Sequence, residues 1–211
     1  MQHSSHVLIT GAAGFVGAAV AQVLVGAGIR VTGLDDLSAG FEGRIRDLPR
    51  DSFRFVRGDV RDREVLGKLL LGETPVTSVL HLAGRVGVRR VLQDPEGCEE
   101  ENLHGARVLA EGLELAAVRG RRPRVVAAST SEVYAESPEA LSESSPLRSL
   151  QAQGRWRYAA SKLASEPVPD AALPPMAPAE PRGPVHLRSF HCPLCTSHSA
   201  LLPRLSTSAL S

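Results

Sequence analysis

Up to about residue 166, short apolar runs alternate with segments of helical periodicity. HVLIT (6–10), RVTGLD (30–35), FRFVRGD (53–59), TSVLHLA (77–83) and RVVAAST (124–130) are rich in β-branched residues and read as buried parallel strands. Residues 15–27, 62–71 and 96–119, and a further stretch starting near Trp156, carry amphipathic or small-residue patterns that predict helices. Alternation of this kind requires right-handed crossovers, hence an α/β fold with a doubly wound parallel sheet and helices on both faces. After Glu166 the pattern stops. Nine of the 15 prolines lie in 167–211, among serines and small residues. Proline removes helix and ladder donors, so an irregular tail is expected there, with only VHLRSF (185–190) suggesting a short strand.

The turn after the first run is TGAAGFVG, with glycines at 11, 14 and 17. In a strand–turn–helix context the first glycine permits the tight turn, the second lets backbone approach a pyrophosphate, and the third lets helix pack on sheet. Free N–H groups at the helix start then hold phosphate charge. Asp35 ends the second strand 18 residues beyond Gly17, placed to accept from a ribose 2′-hydroxyl. Its charge and that of Asp36 would repel a 2′-phosphate, so NAD is expected rather than NADP. This makes 1–166 an NAD-binding Rossmann-type domain and 167–211 a separate Pro/Ser-rich tail. Asp59, in GDVRD, has two readings. It could accept from the adenine amino group, or Asp59 or Asp62 could cap the helix that begins at EVLGKLLL.

Composition changes the picture at one point. Of the 24 basic residues only Lys68 and Lys162 are lysine, so a lysine is not this chain's routine surface cation. Lys162 follows Tyr158 by four residues, which places both on one helix face. A nearby ammonium favours the phenolate, giving a base that can take a hydroxyl proton while hydride leaves the same carbon for nicotinamide. STSEVY (129–134) ends the fifth strand, where open parallel sheets bind ligands. Thr130 offers a hydroxyl to the reacting oxygen and Glu132 a carboxylate for acid–base work.

TGAAGFVG, LDDLSAG, GDVRD, HLAG, STSEVY and YAASK, in this order and spacing, resemble the extended short-chain dehydrogenase/reductases, the NAD-dependent nucleotide-sugar epimerase/dehydratase family. The resemblance covers residues 6 to 166. It implies catalytic roles for Thr130, Glu132, Tyr158 and Lys162. It also implies cofactor contacts from Gly11, Gly14, Phe15, Val16, Gly17, Asp35, Asp59, Val60, Leu82, Ala83, Asn102, Tyr158 and Lys162. The substrate implied is a nucleotide sugar, a UDP-sugar first, oxidised at C4 and then decarboxylated or epimerised. GRWRYAASK, VGVRRVLQDP and the Ser131–Glu132 pair look closest to the UDP-glucuronate decarboxylase branch. Gly84 in HLAG and Ala135 after VY depart from the family by a methyl group each.

The larger departure follows SKLASE, where PVPDAALPP replaces the family's continuing helix and its substrate domain. A frame shift, altered splice or truncated gene is expected at that point. The alternative to an enzyme is then a non-catalytic NAD-binding fragment.

The remaining features narrow the classes. A net charge of +1 gives no electrostatic case for nucleic acid or an anionic membrane. MQHSSHVLIT lacks the basic n-region of a signal peptide, and no apolar stretch reaches the roughly 18 residues that span a bilayer. Cys98, Cys192 and Cys195 do not form a disulfide framework, so a cytoplasmic setting is expected. CPLC (192–195) with His191 and His198 mimics zinc spacing but lacks a second ligand pair, so no metal is expected. Family members commonly pair through the long helix over 96–119 and the tyrosine–lysine helix, which makes a homodimer an expectation here.

Overall fold

In the computed structural model, residues 5–138, 140–151 and 153–166 are described. The strands are β1 (His6–Thr10), β2 (Arg30–Asp35), β3 (Phe53–Arg57), β4 (Ser78–His81) and β5 (Arg124–Ala127). They form one sheet of order β3-β2-β1-β4-β5, every neighbouring pair parallel. The helices are α1 (Phe15–Gly26), α2 (Arg63–Leu71), α3 (Val88–Gln93), α4 (Pro95–Val118) and α5 (Arg157–Ser165).

All five residues of β1 are buried, as a central strand covered on both faces must be. Its side chains alternate between two cores. Val7 and Ile9 join Ala18, Ala21, Val31 and Phe53, where α1 presents a small-residue face to the sheet. Leu8 joins Leu34, Leu66, Leu70, Val79, Leu109, Leu113 and Val125 on the opposite face, beneath α2 and α4. Chain order reverses at β1, between β2 and β4. That is the switch point at which a doubly wound sheet opens a ligand crevice outside its carboxyl ends.

Three strands are shorter than the apolar pattern, because the chain leaves the sheet early to build loops. β3 stops at Arg57, and Gly58 then donates to the Asp35 carbonyl at 3.1 Å. β4 and β5 stop at His81 and Ala127, with Leu82 and Ala128 each adding one further ladder bond, to Thr10 and His81. Helix α3 is absent from the sequence pattern: six residues, with Val91 buried, carry too little periodicity to register. Of the two cap readings for GDVRD, Asp62 is the cap, accepting from the N–H groups of Glu64 and Val65.

VHLRSF, CPLC, His191 and His198 lie outside the described residues. Among the described residues no cluster of three metal-binding side chains occurs, and no helix is long and apolar enough to cross a membrane.

Candidate active site

The glycine turn is held almost entirely by backbone. Gly11 and Ala12 donate to the Leu34 carbonyl at 2.8 and 3.2 Å, tying the turn to β2. Gly11 has φ +74°, and a Cβ there would lie 2.8 Å from the Ala83 nitrogen on the other side. A Cβ at Gly17 would collide with the Gly11 carbonyl oxygen, so α1 can approach the turn only without one. No side chain caps α1 at Gly14, and Phe15 is 82% exposed. The first N–H groups of the helix are therefore left for an anion. This uncapped N-terminus above a turn that no side chain could fill fits the pyrophosphate of a dinucleotide.

Asp35 is buried and links the turn to the loop that follows β2. Its Oδ2 accepts from Ala13 N–H at 2.9 Å and its Oδ1 from Leu37 N–H at 2.8 Å. An ionised carboxylate has about four acceptor sites, so capacity for a ribose hydroxyl is left over. Asp59 is engaged differently. The Arg61 guanidinium grips both its oxygens, with Nη2–Oδ2 at 2.6 Å, and holds its carboxyl below the usual range. Any contact to adenine from Asp59 shares the carboxylate with Arg61. Val60 packs against the α2–α4 core.

Leu82 and Ala83 continue β4 against β1, with Ala83 N–H donating to Thr10 Oγ1 at 3.2 Å. The same hydroxyl lies 2.9 Å from His81 Nδ1. Thr10 Oγ1 thus joins the backbone of the loop after β4 to the His81 ring, and the tautomer of His81 sets which of the two donates. Burial, with the Lys162 ammonium nearby, pushes the His81 pKa down to about 3. Sequence reading passed over Thr10 and His81. Two polar residues on strands that pack on both faces were the available signal.

Around Lys162 the site is built from buried polar side chains. Asn102 accepts from Arg85 N–H at 2.7 Å and donates to the Arg85 carbonyl at 3.3 Å and to Ser161 Oγ at 3.1 Å. It thereby joins α4, the loop after β4, and α5. Asn102 thus has both amide ends committed to protein, and its place is that of a clamp on the site. Lys162 is 5% exposed, and burial lowers its pKa from 10.5 to about 8. A Cβ at Gly84 would lie 3.0 Å from Lys162 Nζ and from Asn102 Oδ1, so the missing methyl gives the ammonium room against the loop.

Tyr158 is half-buried on α5, one turn before Lys162, and its carbonyl accepts from Ser161 Oγ at 2.7 Å. Thr130 caps a 3₁₀ turn over Ser131–Val133, accepting from Glu132 N–H at 3.3 Å. Ser129 Oγ donates to Glu166 Oε1 at 2.6 Å, which ties the end of β5 to the end of α5. The fold thus carries every sequence-derived site residue to the carboxyl side of one sheet. The glycine turn, Asp35 and Asp59 follow β1, β2 and β3, and Thr130, Glu132, Tyr158 and Lys162 lie on the β4–β5 side.

Comparison with known proteins identifies the family and the fold. The family model described as "NAD dependent epimerase/dehydratase family" matches residues 7–171. The chain is 37% identical over 162 residues to a UDP-glucose 4-epimerase of Streptomyces lividans, covering 76% of this chain and 45% of that protein. It is 33% identical over 169 residues to UDP-glucuronate 4-epimerase 1 of Arabidopsis thaliana, covering 77% and 37%. Among solved structures, the UDP-glucose 4-epimerase of Thermus thermophilus in complex with NAD superposes with a TM-score of 0.63 at 32% identity, covering 76% of this chain and 48% of that one. A dTDP-glucose 4,6-dehydratase of Streptomyces venezuelae, also with NAD bound, gives 0.66 at 34%, covering 77% and 50%. The chain spans about half the length of the curated relatives it matches. The chain belongs to the NAD-dependent epimerase/dehydratase family.

Proposed function

We propose that the chain carries the NAD-binding and proton-transfer half of a nucleotide-sugar 4-epimerase, acting on a UDP-sugar. The observation that carries this reading is the buried Lys162 ammonium, one turn after Tyr158 on the same helix and across the switch-point crevice from the glycine turn. Among the described residues no carboxylate pairs with it. A cation buried in that way is costly, and a phenolate beside it offsets that cost. In this reading Tyr158 takes the proton of the sugar C4 hydroxyl, and Thr130 holds that oxygen by its own hydroxyl. Bound NAD supplies the acceptor for the hydride that leaves C4. Tyr158 returns its proton to the same oxygen when the 4-keto group is reduced on its opposite face, which gives the C4 epimer. The glycine turn and Asp35 hold pyrophosphate and adenosine ribose throughout.

A second reading is decarboxylation. Glu132, half-buried in the turn that Thr130 caps, favours it, because a UDP-uronic acid oxidised at C4 is a β-keto acid. A homodimer through α4 and α5, and a division at residue 166 into an NAD domain and a tail, belong to the same proposal.

One experiment separates these readings. The chain is titrated with NAD and then given UDP-glucose or UDP-glucuronate, with bound NAD followed by absorbance and products by mass spectrometry. A C4 epimer supports epimerisation, and loss of carbon dioxide supports the second reading. NAD binding without oxidation of either sugar rejects both and leaves a non-catalytic NAD-binding fragment.

A further inference from the structure

Residues 141–150 are almost all exposed, yet Arg148 is half-buried. Its backbone pairs with the loop after β5. Arg148 N–H donates to the Val133 carbonyl at 2.7 Å, Ala135 N–H donates to the Pro146 carbonyl at 2.8 Å, and Tyr134 and Leu147 form an antiparallel bridge. The side chain then does something a surface arginine has no need to do. Nε donates to the Glu132 carbonyl at 3.1 Å and Nη2 to the Tyr134 carbonyl at 3.2 Å. On its other face the guanidinium carbon lies 3.6 Å from the centroid of the Trp156 ring. Trp156 is the residue on which α5 starts, two before Tyr158, and it is the chain's single tryptophan.

One planar group therefore joins two segments. One carries Thr130 and Glu132; the other carries Tyr158 and Lys162. Arg148 forms no ion pair with a carboxylate among the described residues, whereas the neighbouring Arg157 pairs with Glu96 at 3.2 Å. What Arg148 contributes is shape: in-plane donors to two carbonyls and a flat face on an indole. Lysine supplies neither.

We infer that Arg148 is a positioning residue, a strut that sets the spacing between the Thr130–Glu132 turn and the Tyr158–Lys162 helix. The inference rests on the proposed sugar chemistry for its kinetic consequence, though not for its structural one. Proton transfer between groups on separate segments depends steeply on their spacing. A displacement of about 1 Å costs on the order of 100-fold in rate.

The test uses the full chain with R148K, W156F, W156A and the double variant R148K/W156A. R148K is expected to slow oxidation of the UDP-sugar by roughly 100-fold while NAD affinity stays within about twofold, because the glycine turn is untouched. W156A reproduces R148K, W156F retains most of the rate because a ring still faces the guanidinium, and the double variant is no slower than either single change. Parallel loss of NAD affinity and rate, or additive losses in the double variant, overturns the strut.

A second readout needs no turnover. Hydrogen exchange in R148K should rise together in peptides covering 129–135 and 156–162 and stay unchanged across 11–26. Faster exchange in only one of the two segments, or in neither, overturns the proposal. If the unaltered chain oxidises no UDP-sugar, the proposed function falls, and the exchange pattern still decides the strut by itself.

Discussion

The two halves of the crevice hold their groups by different means. On the β1–β2 side, a backbone turn is pinned between Leu34 and Ala83, with one carboxylate, Asp35, closing it. On the β4–β5 side, the groups are set by buried and half-buried polar side chains, Asn102 to Ser161 and Ser129 to Glu166, linking elements far apart in sequence. The first arrangement tolerates no added atom. In the second an added atom, as at Gly84, meets side chains rather than backbone, and a lost hydrogen bond is the greater threat. Space limits one half, and hydrogen-bond balance limits the other.

The largest effect should come from breaking the first half. Gly17→Val puts branched carbon where the Gly11 carbonyl lies. It should cost about 3 kcal/mol through overpacking, read as a lowered melting temperature with NAD binding lost. If G17V binds NAD as before, the closeness of helix and turn does not matter. Next comes Tyr158→Phe on the second half. It should lower UDP-sugar oxidation by about 10²- to 10⁴-fold, the contribution of a positioned base, while NAD affinity measured by fluorescence stays near that of the unaltered chain.

Two pH effects sharpen the contrast. The folded His81 pKa of about 3 lies below its ordinary 6.5, so the unfolded chain binds a proton that the fold refuses. Stability is then full above about pH 6.5 and declines as pH falls towards 3, and His81→Gln should flatten that slope in urea unfolding at pH 7 and pH 4. Lys162, with a folded pKa of about 8, should lose its ammonium as pH rises through that value. Oxidation should fall over the same window, read from rate against pH. Asn102→Leu leaves Ser161 and both backbone groups of Arg85 without this partner and should cost about 1–3 kcal/mol, measured by denaturant midpoint. At the bottom of the scale, Arg63→Gln removes the exposed pair with Glu111 and should leave the melting temperature unchanged.

What was legible in the sequence follows the same division. Gly11, Gly14, Gly17 and Asp35 could be found because a strand, a turn and a helix read in order specify them locally. Tyr158 and Lys162 were found because helical spacing places them together. Asn102 was recognised by resemblance to the family, but its bonds to Arg85 and Ser161 depend on how α4, α5 and the loop after β4 meet, which no local pattern encodes. The same is true of Thr10 with His81 and of Arg148 with Trp156. Asp59 could not be distinguished from Asp62 as the cap by sequence, since either precedes an apolar helix; in the structure Asp62 takes the helix N–H groups and Asp59 is held by Arg61.

The hydrogen bond between Thr10 and His81 joins residues 71 positions apart. During folding, β1, α1 and β2 can assemble with only local chain closure, but the wall that Ala83 forms against Gly11 arises only when β4 docks. The dinucleotide crevice is thus incomplete until β4 docks. NAD, whose site gains its second wall only at that step, would act as a selective ligand of the finished fold. Each tenfold increase in its concentration above Kd should then add about 1.4 kcal/mol to the free energy of unfolding.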